Sequence, residues 1–276
     1  MCVTCGCGDD NGVRVATPGH AHDHQSGHPH PHAHHDHGAT ETIVLGERVL
    51  ARNDLLAAGT RSRLAARGID VVNLMSSPGS GKTSLLERTI SEAGDLRTIC
   101  VVEGDQETTA DAERIARAGA RAVQVNTGAG CHLDADMVDR ALATLDPPDG
   151  SLLFVENVGN LVCPALFDIG ETRKVVVISV TEGDDKPLKY PHMFAVADLV
   201  VVNKTDLLPY VDFDLGALEK AARSLNPRVR VMPLSVRDGS DLDHWYAWLA
   251  DLADLADLAD LARPTRTGTR ERVGRA

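Results

Sequence analysis

The chain predicts an α/β fold, a mostly parallel sheet with helices on both faces, and three observations carry that prediction. Seven short apolar runs rich in Val, Ile and Leu recur between Val71 and Leu234, each followed by a helical or turn segment. The runs are continuously apolar rather than alternating, as strands covered on both faces are. The first run passes directly into a Ser/Pro/Gly turn and then a helical pattern, the strand–helix alternation from which parallel sheets are built. At 276 residues with 43% hydrophobic content, the chain accommodates one such domain of about 200 residues plus appendages.

Three segments precede the first strand. Residues 1–8, MCVTCGCG, place Cys2, Cys5 and Cys7 within six positions. Thiolates are soft ligands, and this spacing lets one short loop present several of them to a single ion. Removal of Met1 would free the Cys2 amine as a nitrogen donor. Amine plus thiolates suits a tetragonal ion such as Ni²⁺, whereas zinc prefers a tetrahedral cage; spacing alone does not choose between them. Residues 20–37, HAHDHQSGHPHPHAHHDH, hold nine of the twelve histidines. Such a tract cannot bury a core and reads as a metal reservoir, with disorder expected from about residue 9 to 40. From Glu41 to Gly68, Leu45, Val49, Leu55, Leu56 and Leu64 form an amphipathic pattern that ends at a glycine, a helix expected to pack on the sheet. The boundaries expected are therefore 1–40 for a Cys/His-rich tail, 41–249 for the domain and 250–276 for a helical extension and basic tail.

Val71–Leu86, VVNLMSSPGSGKTSLL, is a buried strand, a turn and a helix start with the spacing of a phosphate-binding loop. Gly79, Ser80, Gly81, Lys82, Thr83 and Ser84 form the expected cradle. Its backbone N–H groups face the phosphates at a helix N-terminus, Lys82 reaches the β- and γ-phosphates, and the Thr83 hydroxyl sits on Mg²⁺. Ser76 stands where the strict pattern has glycine. This makes the fold a P-loop nucleotide-binding one. The later strands are expected at Thr98–Val102, Ala122–Val125, Leu152–Val155, Val175–Val180, Leu199–Val202 and Val229–Leu234.

Ligands in such sheets gather at the carboxyl ends of the strands, and the notable residues fall there. Asp105 is a candidate Mg²⁺ carboxylate. Glu156 follows the Leu152–Val155 run and is a candidate for Mg²⁺ or its water, with the Gly159 N–H near a γ-phosphate. Asn203-Lys204-Thr205-Asp206 follows the Leu199–Val202 run about 120 residues after the loop. An Asp at that place accepts the paired N1–H and N2–H of guanine, which adenine does not offer. The motif therefore selects GTP and GDP, with Asn203 on the base edge, the Lys204 stem on its face and a backbone contact from Ser235. Together these features specify a G domain. Cys131-His132 precedes a helical pattern over Leu133–Leu145, and Cys163 lies shortly after Gly159. They form a second candidate metal site, too small to close around an ion without an open position or a second copy across a dimer. The alternative is three separately buried side chains. Cys100 reads as core. Ala250–Ala262 repeats Asp-Leu-Ala as the extension of a helix begun near Leu242, whose Trp245, Tyr246 and Trp248 dock on the domain.

A formal net charge of −12 argues against a nucleic-acid surface. No apolar run approaches the roughly 20 residues that span a bilayer. No basic-then-apolar leader is seen, so no membrane role and a cytoplasmic location are expected.

MCVTCGCG, the His tract, SSPGSGKT, VVEGDQ, NTGAGCHLDADM, FVENVGNLVCP, DDKPLKYPHMFAVADLVVVNKTDLLPYVDFD and PLSVRDG together resemble the hydrogenase nickel-incorporation GTPases, accessory proteins of NiFe-hydrogenase maturation. The resemblance covers nearly all of residues 41–249 and the N-terminal motif. It implies a GTP-dependent homodimer, a high-affinity nickel site at Cys2, Cys5 and Cys7, and a nucleotide-coupled nickel or zinc site at Cys131, His132 and Cys163. It implies further a small zinc-containing nickel metallochaperone as partner and the hydrogenase large-subunit precursor as recipient. The catalytic set read from the motifs themselves is Lys82, Thr83, Asp105 and Glu156. A urease-type maturation GTPase lacks the N-terminal CxxCxC and is the nearer alternative; a nickel-storage protein is the more distant one.

Overall fold

The computed structural model describes residues 38–94, 97–105, 110–128 and 130–253, with side chains from residue 48. The chain divides into two units, 1–52 and 53–276. The described part of the first is the opening of helix α1 (Gly38–Ala66). The second holds the sheet. Its strands are β1 (Asp70–Ser76), β2 (Ile99–Asp105), β3 (Arg121–Asn126), β4 (Leu152–Gly159), β5 (Arg173–Ser179), β6 (Leu199–Asn203) and β7 (Arg230–Pro233). Its helices after α1 are α2 (Lys82–Ala93), α3 (Ala110–Arg117), α4 (Ala135–Leu145), α5 (Lys186–Lys189), α6 (Pro191–Val196), α7 (Leu215–Leu225) and α8 (Leu242–Ala253).

The strands lie in the order β3-β2-β4-β1-β5-β6-β7, and every pairing is parallel. All seven expected strands are present. Alternate residues of each strand feed opposite faces. Val72, Leu74, Val101, Phe154, Val177 and Val201 join α2, α3 and α8 in one core. On the other face, Val71, Val102 and Val155 meet α4, while Met75, Val176 and Val200 meet α6 and α7. Each fully buried aliphatic side chain contributes about 1.5–3 kcal/mol, so both faces weigh in stability. Trp245, Tyr246 and Trp248 are buried as expected, the Trp245 Nε1–H donating to Thr89 Oγ1 at 3.0 Å.

Four expectations are corrected. Helix α1 starts at Gly38, not Glu41. From residue 53 onward its packed face is Asn53, Ala57, Thr60 and Leu64, whereas Leu55 is 77% exposed. Small residues win because the chain at Gly170 comes so close that a Cβ there would lie 2.9 Å from the Ala57 carbonyl. Asp105 and Glu156–Gly159 belong to their strands rather than to loops beyond them. Helix α4 begins at Ala135, because Asp134 caps it by accepting the Met137 N–H, so Cys131 and His132 stand outside the helix end. The Cys2, Cys5 and Cys7 cluster, the His tract and the Asp-Leu-Ala repeat past Ala253 lie outside the described residues.

Candidate functional site

Strand β1 ends at buried Ser76 and α2 starts six residues later at Lys82, so the turn between them is the phosphate-binding loop. Gly79 has φ +75° and Gly81 φ +100°, a region that side chains resist. Gly81 faces a second demand: a Cβ there would lie 2.4 Å from Asn203 Nδ2. Ser76, in the position of the usual glycine, accepts from Lys82 Nζ at 2.6 Å and donates to the Ser77 carbonyl. Burial pulls the Lys82 pKa below its ordinary value, against the pull of Glu156, Asp111 and Glu103.

The loop opens into a cavity of about 550 Å³ whose walls include Lys82, Thr83, Asp105, Glu156, Gly159 and Lys204. Thr83 Oγ1 donates to Glu156 Oε1 at 2.7 Å. Glu156 is 4% exposed, and burial pushes its pKa up despite Lys82 and the Thr83 hydrogen bond. Glu103 sits beside it in register across β2 and β4. Burial first, then the carboxylates of Glu156, Asp105 and Asp111, push Glu103 up to about 8. Each of these two acids has an Oε2 that is buried and without a hydrogen-bond partner. Paired buried carboxyl oxygens beside a Thr hydroxyl and a lysine fit a hard divalent cation, which would satisfy the oxygens that the protein does not. Gly159 presses on the loop from β4: a Cβ there would lie 3.2 Å from Pro78. The sequence reading missed Glu103, Asp111 and Arg114, which also face the cavity. Glu103 was findable, since it interrupts an apolar strand two residues before Asp105 and so shares its face.

A second cavity of about 240 Å³ shares Gly81, Ser84 and Lys204 with the first and is closed by Asn203, Asp206 and Val236. Ser235 Oγ donates to Asp206 Oδ1 at 2.8 Å, which orients the carboxylate. Lys204 reaches the Gly79 carbonyl at 2.7 Å. Asn203 and Ser235 are both engaged within the protein here. Asn203 is a strut: its Nδ2 donates to the Ser80 carbonyl at 2.9 Å, and its Oδ1 accepts from the Lys204 and Val236 N–H groups. The Ser235 N–H donates to the Ser240 carbonyl, and its hydroxyl is the group that reaches Asp206.

The three residues of the second candidate centre come together. Cys131 Sγ lies 2.9 Å from Cys163 Sγ and 3.7 Å from His132 Nδ1, and the three ligand atoms all fall within 4.8 Å of one another. Cys163 opens a short 3₁₀ turn four residues past β4. The His132 ring stacks on Phe167 at 4.0 Å, which fixes its plane. Burial lowers the His132 pKa against the pull of Asp134, favouring the neutral imidazole that a metal requires. Two soft thiols and one imidazole fit a thiophilic divalent ion such as nickel or zinc.

Residues 70–233 match the family model described as CobW/HypB/UreG, nucleotide-binding domain. A hydrogenase maturation factor HypB from Azotobacter vinelandii is 58% identical over 199 residues, which cover 72% of this chain and 66% of that protein. The chain thus spans about two thirds of that relative's length. A crystal structure of hydrogenase maturation factor HypB from Archaeoglobus fulgidus superposes with a TM-score of 0.69 at 42% identity, covering 74% of this chain and 100% of that one. The structure of HypB from Helicobacter pylori in complex with nickel gives 0.69 at 36% identity, covering 78% and 99%.

Proposed function

Since the chain belongs to the CobW/HypB/UreG nucleotide-binding family, on its hydrogenase-maturation branch, we propose that it is a GTP-hydrolysing metallochaperone that inserts nickel into the large-subunit precursor of a NiFe-hydrogenase. One observation carries this reading: β4 supplies Glu156 to the phosphate cavity, and four residues after it ends the chain supplies Cys163 to the thiol–imidazole cluster. The nickel held by the Helicobacter relative supports nickel as cargo, with zinc as a competing occupant.

In this mechanism the loop N–H groups and Lys82 hold the phosphate chain, and Asp206, oriented by Ser235, selects guanine over adenine. Thr83, Asp105 and Glu156 would hold Mg²⁺, which when bound would neutralise charge on the phosphate oxygens. Arg114 faces the cavity, but its guanidinium is clamped by Glu87 and Asp111. With no free arginine among the described residues that line the cavity to stabilise the transferring phosphoryl group, intrinsic turnover is expected to be slow; a missing finger costs about 10³–10⁵ in rate. Hydrolysis then serves as a switch: whatever change GTP causes in nickel affinity at Cys131, His132 and Cys163, nickel causes in GTP affinity.

The domain layout proposed is a metal-binding tail at 1–40, with a high-affinity nickel site at Cys2, Cys5 and Cys7, a GTPase domain at 41–249 and an extension at 250–276. A GTP-dependent homodimer would complete the three-ligand cluster from a second copy. Val162 and Leu166, which flank Cys163 and are 48% and 38% exposed, give such a copy apolar surface to cover. A small zinc-containing nickel metallochaperone is the proposed donor or acceptor partner. A cytoplasmic location is proposed; among the described residues no helix is long and apolar enough to cross a membrane. Nickel titration of the GDP form and of the form bound to a non-hydrolysable GTP analogue tests the switch. Unequal affinities are expected, and equal ones would sink it.

A further inference from the structure

The segment that carries Cys131 and His132 is suspended from the same two strands that carry the cavity acids. Successive residues of β4 point to opposite faces, so Glu156 meets Thr83 on one side and Asn157 is buried on the other, 1% exposed. Asn157 Oδ1 accepts the Leu133 N–H at 3.0 Å, one residue from His132 and two from Cys131. It also accepts the Val158 N–H at 3.0 Å, and Asn157 Nδ2 donates to Asn73 Oδ1 at 3.3 Å. The Leu133 side chain, fully buried, lies under β2, where a Cβ on Gly104 would come within 2.8 Å of its Cδ1. A second tie runs from Asn160 Nδ2 to the Cys131 carbonyl at 3.3 Å, and the Thr127 N–H donates to the Asp105 carbonyl at 2.9 Å.

We propose that Asn157 is the positioning residue that ties the geometry of the Cys131–His132–Cys163 cluster to what the phosphate cavity holds. The inference rests on the nucleotide-linked nickel reading above and names the residue that would carry the link. Any displacement of β4 at Glu156 moves Asn157 with it, because they are neighbours on one backbone. Asn157 grips the backbone of Leu133, so the shift reaches Cys131 and His132. Cys163 follows β4 itself. The distance between the two thiols is therefore set from one strand by two routes. Asparagine suits the task because one oxygen serves two N–H groups while the amide nitrogen anchors to β1. An apolar side chain there would leave the Leu133 N–H buried without a partner.

A purely structural Asn157 would alter nickel affinity equally in every nucleotide form; a positioning Asn157 sets the difference between forms. The test uses the full-length chain carrying Cys2→Ser, Cys5→Ser and Cys7→Ser, so that thiolate-to-nickel absorbance reports the internal cluster. Nickel is titrated against a competing chelator with Mg²⁺ and either GDP or a non-hydrolysable GTP analogue. Asn157 in place should give affinities that differ by about fivefold or more, the usual lower range of site coupling. Asn157 also lines the phosphate cavity, so Asn157→Ala is read by the ratio of the two nickel affinities, which is expected to fall to within roughly twofold. Asn160→Ala, at a half-buried position, is expected to reduce the ratio by at least about twofold and decides the matter where Asn157→Ala does not fold. An unchanged ratio in folded Asn157→Ala overturns the assignment, as does an unchanged ratio in Asn160→Ala where Asn157→Ala does not fold. A ratio of one with Asn157 in place instead removes the switch reading on which it stands.

Discussion

At the scale of single residues, the two cavities divide their work between acids of opposite character. Asp206 is held by the Ser235 hydroxyl and is proposed to recognise the base, whereas Glu156 and Glu103 are buried with an oxygen to spare. Asp206→Asn is expected to weaken GTP and GDP binding by roughly 10²-fold or more, since two hydrogen bonds to a charged acceptor contribute about 1.5–3 kcal/mol each. The same variant should gain affinity for xanthine nucleotides, whose C2 carbonyl accepts from an amide. Calorimetry with guanosine and xanthosine diphosphates checks both. Glu156→Gln should abolish Mg²⁺-dependent GTP hydrolysis and leave Mg²⁺-free GDP binding within about tenfold, because the amide keeps the Thr83 contact and loses the charge that holds the ion. Phosphate release and nucleotide titration on the same preparation separate the two effects. The acids named by motif were legible in the chain. The partners of Asn203 and Ser235 within the protein were not, because a motif states which residue stands at a strand end and leaves open what its other neighbours have already claimed.

At the scale of elements, the strands were legible because each is a continuous apolar run, and their ends drifted because Glu103, Asp105 and Glu156 are polar residues inside strands. Helix α1 shows where periodicity misleads. Its leucines suggested the packed face, yet close approach at Gly170 selects Ala57 and Thr60, and no sequence pattern announces a contact made over a hundred residues away. That contact has a pH signature. Burial would raise the Asp168 pKa, but hydrogen bonds from Arg61 and the Gly170 N–H prevail and hold it below the ordinary value. A depressed carboxyl contributes stability that is present above the unfolded pKa of about 3.9 and is lost as pH falls through the lower folded value. Thermal unfolding followed from pH 6 to 3 should therefore show a steeper loss in the wild type than in Arg61→Ala. On the opposite side of the sheet, Trp245→Ala removes a fully buried indole and its bond to Thr89, with an expected cost of about 3–5 kcal/mol. Denaturant melts measure it, and a cost under about 1 kcal/mol would contradict the packing described.

At the scale of the whole molecule, the chain joins a Cys- and His-rich tail, outside the described residues, to a nucleotide domain, and the two are expected to be separable in function. A chain lacking residues 1–40 should hydrolyse GTP at the full-length rate while its bulk nickel capacity falls sharply. Equilibrium dialysis beside a phosphate-release assay checks this, and a parallel loss of both would mean that the tail supports the domain. The 2.9 Å gap between Cys131 and Cys163 has a chemical consequence of its own. Side chains near enough to share one ion are also near enough to couple to each other when a peroxide or dioxygen removes two electrons and two protons. A disulfide formed there would leave His132 alone as a donor. Cargo loading at this centre would then depend on the reducing power of the surroundings, and protein handled in air would pass for metal-incompetent until treated with a thiol.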